Sequence, residues 1–117
     1  MPGLGSLEFV MIDTTDLERM STFWSAVLGA PVFQRIGGEY VLLAPPATGG
    51  SGLAFQFSPD EPKAKNRFHL DLDVDDVEVA TAKIESLGGT RLSEDRELAG
   101  HRWRVMADPD GNEFCIG

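Results

Sequence analysis

Residues 15–29 have the sequence TDLERMSTFWSAVLG, and this stretch predicts an amphipathic helix with both ends marked. Thr15 offers a side-chain oxygen at the helix start and Glu18 a carboxylate three positions later, which is the pattern of a capping box. Gly29 provides a left-handed stop and Pro31 prevents continuation. Between these signals the apolar residues recur at the spacing of one buried helical face: Leu17, Met20, Phe23, Trp24, Val27 and Leu28.

A second stretch, DDVEVATAKIESLGG at residues 75–89, repeats this plan. Asp75 takes the place of Thr15, Glu78 that of Glu18, and the pair Gly88-Gly89 ends the pattern. One strand is predicted before each helix and three after it, so each half has the order β-α-β-β-β. The predicted strands are residues 7–14, 32–36, 40–44 and 53–57 in the first half, and 68–74, 90–93, 102–107 and 113–116 in the second.

The predicted organisation is one α+β domain over residues 1–117, built from two tandem modules. Module 1 covers about residues 6–58 and module 2 about residues 67–117. A Pro-containing, charged linker at about 59–66 joins them. A module of about 58 residues is marginal alone, so we expect the two to share a core. The Gly-rich segment 48–52 and the segment 93–100 are predicted to be mobile loops.

Composition excludes several classes of function. The 117 residues are 42% hydrophobic and 25% charged, as in an ordinary globular protein, and their formal net charge is −9. That charge repels nucleic acid and anionic membranes, so neither is an expected partner. No apolar run approaches the length of a membrane span, and the start lacks a signal-peptide pattern, so we expect a cytoplasmic protein. Cys115 is the single cysteine, which rules out an internal disulfide.

The alternation in the fifth predicted strand marks a candidate cavity face. Its apolar residues should pack on the helix, which leaves His69, Asp71 and Asp73 on the opposite face. When the two halves are aligned by their capping boxes, Phe9 falls opposite His69 and Met11 opposite Asp71. We therefore expect a ligand site on this face.

The chain resembles the vicinal oxygen chelate superfamily, which includes glyoxalase I, bleomycin-resistance proteins and extradiol dioxygenases. The matching stretches are residues 16–29, His69 to Asp76, and the segment DPDGNEFCI at residues 108–116, in family order. In particular, it is similar to small glyoxalase-like proteins of actinobacteria. The resemblance implies that the two modules form a curled mixed sheet around a cup, and that the protein is a homodimer.

The resemblance also allows the metal-ligand positions of the family to be compared with this sequence one by one. Metal-binding members have a His or Gln on the first strand, where Phe9 stands, and a His on the fifth, which His69 matches. They have a Glu on the last strand, where Cys115 stands, and glyoxalase I adds a Glu near Gln56. One position of four is intact, so no metal cofactor is expected. If a divalent metal does bind, His69, Gln56 and Glu113 are the candidate ligands, with Cys115 and His101 as further donors.

Several candidate residues have a structural reading beside the functional one. His69 serves either as a cavity base or as a polar partner of Asp71, and Cys115 either as a nucleophile or as an inert buried thiol. His101 is either a ligand contact or a rim residue, and Trp103 and Tyr40 either line the cup or pack in the core. The cup candidates are Phe9, Met11, Tyr40, Phe55, His69, Asp71, His101, Trp103 and Cys115.

The leading hypothesis for function is binding of a small, partly apolar organic molecule in the cup without a catalytic metal, as a resistance or carrier protein. An acidic cup favours a cationic ligand. The alternative is a metal-dependent lyase, isomerase or dioxygenase with a degenerate site centred on His69. A third hypothesis is a domain that only dimerises or modulates a partner protein. The sequence assigns no catalytic residue.

Overall fold

The structure is a computed structural model that describes residue 3, residues 7–61, residue 66 and residues 68–117. It divides into two compact units, residues 1–61 and 62–117. Half of the predicted linker, residues 62–65, lies outside the described residues. Each unit contains one helix and one mixed sheet, so the α+β class with two β-α-β-β-β-type modules is confirmed.

The first unit follows its predicted order closely. Strand β1 (Phe9–Thr14) leads into helix α1 (Leu17–Leu28), and three further strands complete a sheet of order β1-β4-β3-β2. Strands β1 and β4 are parallel because the helix carries the chain back across the sheet, whereas the others pair antiparallel. The remaining strands are β2 (Val32–Ile36), β3 (Tyr40–Leu43) and β4 (Gly52–Phe57).

Helix α1 packs its aromatic pair into the core of this unit. Met20, Phe23 and Trp24 are at most 2% exposed, and the rings of Phe23 and Trp24 meet edge to face. Gly29 ends the helix with a φ of 64°, the left-handed conformation expected for a glycine stop. Leu28 was predicted on the buried face, but its side chain is 42% exposed because it lies at the last helical position.

The second unit repeats the order with one additional strand. Helix α2 (Val77–Ser86) follows β5 (Leu70–Leu72), and the sheet has the order β5-β9-β8-β6, with β7 also pairing with β8. Strands β5 and β9 are parallel, which matches the pair β1 and β4 of the first unit. The other strands are β6 (Thr90–Arg91), β7 (Arg96–Leu98), β8 (His101–Ala107) and β9 (Glu113–Ile116).

Both helices begin one residue later than predicted. The N-cap of α1 is Asp16, which accepts a hydrogen bond from the Arg19 amide at 3.0 Å, and that of α2 is Asp76, which accepts from the Glu78 and Val79 amides. The prediction of Thr15 and Asp75 was wrong because an Asp follows directly and caps equally well. Glu18 and Glu78 are therefore free to form ion pairs with Arg35 and Arg104.

The segment 93–100 was predicted to be a loop, and this was wrong. It contains β7, which pairs antiparallel with β8 through the registers Arg96–Trp103 and Leu98–His101. His101 consequently opens strand β8 instead of preceding it. The fifth strand is shorter than predicted, since Phe68 is 92% exposed and β5 covers only residues 70–72.

Arg104 holds the second unit together from within. Its side chain is 3% exposed, and its guanidinium donates hydrogen bonds to Glu78, Asp95 and Thr81 at 2.7–3.2 Å. These partners lie on α2 and on the segment before β7, so one cation fixes both against β8. The same contacts lower the pKa of Glu78 and of Asp95.

Among the described residues, no helix is both long and apolar enough to cross a membrane.

Candidate functional site

One face of the sheet in the second unit lines an open pocket of about 1070 Å³. The strand registers explain why these side chains meet: Asp71 pairs with Cys115 and Cys115 with Val105, so a single row crosses β5, β9 and β8. Paired residues point to the same face of a sheet, and all three line the pocket. His69, Asp71 and Asp73 all line the pocket, as does Leu72 between them, so the placement of these three residues on one ligand-binding face stays a prediction.

His69, Asp71 and Cys115 form the polar cluster of this pocket. The His69 Nε2 atom lies 3.3 Å from the Asp71 Oδ1 atom, and one ligand atom from each of the three residues lies within 4.8 Å of the others. His69 and Asp71 are exposed, while Cys115 is half-buried. The parallel β5–β9 pairing fixes the arrangement, since it places the carboxylate and the thiol on neighbouring positions of the sheet.

The Cys115 thiol is held in its protonated form. Burial raises its pKa, and the negative charge of Asp71, which also accepts a hydrogen bond from the thiol, raises that pKa further. Glu113 acts in the same direction, whereas Arg96 opposes it. A protonated thiol is a weak nucleophile, so this environment favours the inert role for Cys115.

Strands β7 and β8 add aromatic and basic side chains to the pocket. His101 and Trp103 alternate on β8, and their rings stack with centroids 5.8 Å apart. Arg96 of β7 pairs with Trp103 and lines the same pocket. Arg96 is absent from the sequence-predicted site because the sequence pattern predicts a loop over residues 93–100. The detectable signal was the two-residue connection Ala99-Gly100, which is short enough to join two antiparallel strands.

The remaining cup candidates belong to the first unit. Phe9 on β1 stacks on Phe33 with ring centroids 6.3 Å apart, and Met11 is 44% exposed. Tyr40 is half-buried, and Phe55 is completely buried in the core. Gln56 follows it on β4 and is half-buried. Their part in a cup shared with His69 stays a prediction.

The paired β-α-β-β-β-type modules are those that the resemblance to the vicinal oxygen chelate class predicts, and comparison with solved structures agrees. A glyoxalase/bleomycin resistance protein/dioxygenase family enzyme from Burkholderia phytofirmans PsJN is 26% identical, with 96% of this chain and 97% of that one covered and a TM-score of 0.76. A genomically encoded fosfomycin resistance protein from Listeria monocytogenes is 18% identical, covering 97% and 90%, with a TM-score of 0.80. At that identity the second likeness concerns the fold alone.

A glyoxalase-related enzyme from Fulvimarina pelagi has the same fold, at 19% identity, a TM-score of 0.76 and coverage of 97% of this chain and 87% of that one. The family model described as the glyoxalase-like domain matches residues 9–117. The chain therefore belongs to the glyoxalase-like domain family, which confirms the resemblance to the vicinal oxygen chelate superfamily, while the similarity to actinobacterial members stays a prediction. A search of curated proteins found no match.

The residues present do not fit the metal site that this class implies. Phe9 has no donor atom and is stacked on another aromatic ring. Cys115 replaces the carboxylate of the last strand, and its thiol, whose pKa is raised, would have to lose a proton to bind a metal. Among the described residues, the donors grouped with His69 are the Asp71 carboxylate and the Cys115 thiol, which differ from the ligand set of the class.

Proposed function

We propose that this protein binds a small, partly apolar organic molecule in the pocket of its second unit and does not use the metal chemistry of its class. It acts in this view as a resistance or carrier protein. The observation that carries the proposal is the pocket itself, in which polar groups from β5 and β9 and the aromatic pair His101 and Trp103 of β8 line the same sheet face. A concave site that combines aromatic side chains with polar and charged groups suits a partly apolar organic ligand.

The loss of the class's metal ligands supports the same proposal. A catalytic divalent ion needs three or four converging donors, and the positions of Phe9 and Cys115 supply a hydrocarbon ring and a protonated thiol. We further infer that the protein is a homodimer, as its family resemblance implies, and that it is cytoplasmic, as its sequence pattern predicts.

A second candidate function rests on one specific observation. His69, Asp71 and Cys115 bring three different donor atoms within 4.8 Å of one another, and these atoms could supply the ligands of a degenerate metal site. A metal-dependent lyase, isomerase or dioxygenase centred on His69 is therefore the alternative. It requires the thiol to become a thiolate on binding.

The test begins with a screen of small organic molecules by thermal shift and tryptophan fluorescence. Trp103 lines the pocket whereas Trp24 is 1% exposed in the core, so Trp103 is the reporter of binding. Compounds that bind the pocket should raise the melting temperature and alter Trp103 emission. Trp103→Ala should weaken their binding. Phe68→Ala is the matched control, because Phe68 is 92% exposed and does not line the pocket.

Metal content separates the two candidate functions. Protein purified without tag or chelator should contain far less than one metal ion per chain by mass spectrometry. A stoichiometric metal that disappears in folded His69→Ala would instead support the degenerate enzyme. Hits that bind equally well to wild type and Trp103→Ala would place the ligand elsewhere and overturn the proposed pocket.

A further inference from the structure

We propose that the ligand of this pocket is a planar molecule carrying a positive charge at one end and a negative charge at the other, bound between Asp73 and Arg96. This inference rests on the proposed function, since it names the chemical class of the ligand. It goes beyond a simple preference for cations, which the net charge of −9 alone would suggest.

Arg96 is the first pole of the site. In the described part of the second unit, Arg91, Arg102 and Arg104 each form an ion pair with a carboxylate. Arg96 makes no hydrogen bond or ion pair with a described residue, although it lines a pocket that also contains three carboxylates. A guanidinium presented in this way offers a bidentate site for a carboxylate or phosphate.

Asp73 is the second pole. Asp71 is already engaged by His69 and by the Cys115 thiol, whereas Asp73 has no hydrogen-bond or ion-pair partner among the described residues. Its backbone is well fixed, because the Gly117 amide donates to Leu72 and the Val74 amide donates to Gly117 on either side of it. Asp73 thus presents a carboxylate suited to an ammonium group.

The two poles lie on one row of the sheet, which sets their separation. Asp73 is beside Gly117, Gly117 is beside Trp103, and Trp103 pairs with Arg96. Three strand spacings place their Cα atoms about 14 Å apart, too far for a direct ion pair unless Arg96 reaches across the row. A ligand that spans the gap satisfies both charges.

Gly117 and Trp103, the two residues in the middle of the row, favour a planar ligand. Gly117 has no side chain, and a Cβ there would lie 2.8 Å from the Arg102 carbonyl oxygen and 3.6 Å from the Trp103 Cβ. The Gly117 backbone therefore lies close against β8 next to Trp103, and His101 stacks on the Trp103 indole. A flat ring fits against such a surface, with both charges held at its ends.

Four probes with the same ring test this inference: para-(aminomethyl)benzoate, benzylamine, benzoate and benzyl alcohol. Binding is followed by NMR through the indole N–H of Trp103, assigned with Trp103→Phe. The zwitterionic probe should bind about tenfold more tightly than either singly charged probe, because it gains a second charge-assisted contact. Asp73→Asn should reduce its affinity to that of benzoate, and Arg96→Gln to that of benzylamine.

Two control variants change the same charges outside the row. Asp75→Asn removes a carboxylate two residues away, and Arg102→Gln removes a guanidinium that pairs with Glu97 instead of lining the pocket. Neither should alter the ranking of the probes. If benzyl alcohol or a singly charged probe binds as tightly as the zwitterion, the charge assignment is wrong while the organic-ligand function stands. If no probe perturbs Trp103, the ligand class is wrong, and the library screen alone judges the function.

Discussion

The Cys115 thiol lies beside the Asp71 carboxylate, at the position where the family resemblance implies a metal-binding Glu, and this difference changes the chemistry of the site. Asp71 stabilises the protonated thiol by charge and by accepting its hydrogen bond, and burial adds to the effect. A thiolate would place two negative charges on neighbouring strand positions, Asp71 and Cys115. The residue is therefore suited to a neutral role in the pocket wall at physiological pH.

We expect Cys115 to react slowly with iodoacetamide at pH 7 and faster as the pH rises, since only the thiolate attacks. Asp71→Asn removes the charge and the carboxylate acceptor, so it should lower the pKa of the thiol and increase the alkylation rate severalfold at pH 8. Mass spectrometry of timed samples gives the rates. Asp75→Asn, which is outside the pocket, is the control, and equal rates in wild type and Asp71→Asn would show that Asp71 does not govern the thiol.

The same raised pKa has a consequence for stability. Because the thiolate is disfavoured in the folded state, the unfolded chain loses this proton first as the pH rises. Folding stability should therefore fall between the unfolded and the folded pKa of Cys115, that is, at alkaline pH. Cys115→Ser should flatten this part of the profile in urea denaturation measured from pH 7 to pH 10.

At the scale of single elements, the β7–β8 hairpin contains a conformation that its sequence does not favour. Its two central residues, Ala99 and Gly100, both have positive φ, 53° and 82°. Such turns prefer Asn or Gly at the first position, because a Cβ there is crowded by the backbone. The hairpin lines the pocket through Arg96, so its stability bears on the site.

Ala99→Asn should stabilise the protein by about 0.5–1 kcal/mol, since Asn tolerates positive φ better than Ala. Ala99→Val should destabilise it, because a β-branched residue is least compatible with that backbone. Urea denaturation of the three proteins measures the difference. A lower stability for Ala99→Asn than for wild type would contradict the turn assignment.

In the core of the second unit, Arg104 connects helix α2 and the segment before β7 to strand β8. Arg104→Met should lower the free energy of unfolding by roughly 1–3 kcal/mol, because Thr81 and two carboxylates lose a buried donor. The pKa values of Glu78 and Asp95 are lowered by Arg104, so wild-type stability should decline as the pH falls through them, and less steeply in the variant. Arg102→Met removes an exposed ion pair and should cost little. Equal losses of stability in both variants would mean that the buried Arg104 contributes no more than an exposed ion pair.

These elements also show what the sequence could and could not predict. The helices and most strands followed from capping residues, glycine stops and alternation, because these are local signals. Strand β7 did not, since Arg96–Leu98 is exposed and has no apolar alternation, and its pairing with β8 gives it its structure. For that reason the sequence did not predict Arg96 as a residue of the candidate site. Asp71 and Cys115 were each found, but their contact depends on the parallel β5–β9 register, which no local pattern encodes.

For the molecule as a whole, the net charge of −9 opposes association of two chains into the expected dimer. Two chains of like charge repel one another in dilute buffer, and salt screens this repulsion. The first unit exposes apolar side chains on strands β1 and β2, such as Met11 at 44% and Phe33 at 52%. Burial of apolar surface of this kind is the main force for association between copies.

Light scattering after size exclusion should therefore give a mass of about twice 12.7 kDa at micromolar concentration, with the dimer fraction rising as salt is added from low ionic strength. Dilution at fixed salt should lower the melting temperature, because dissociation removes the stabilisation supplied by the partner. An interface built mainly on ion pairs would show the opposite response to salt. A monomer of constant melting temperature across all concentrations and ionic strengths would contradict the dimer, while the pocket, which the second unit lines by itself, would remain available to its ligand.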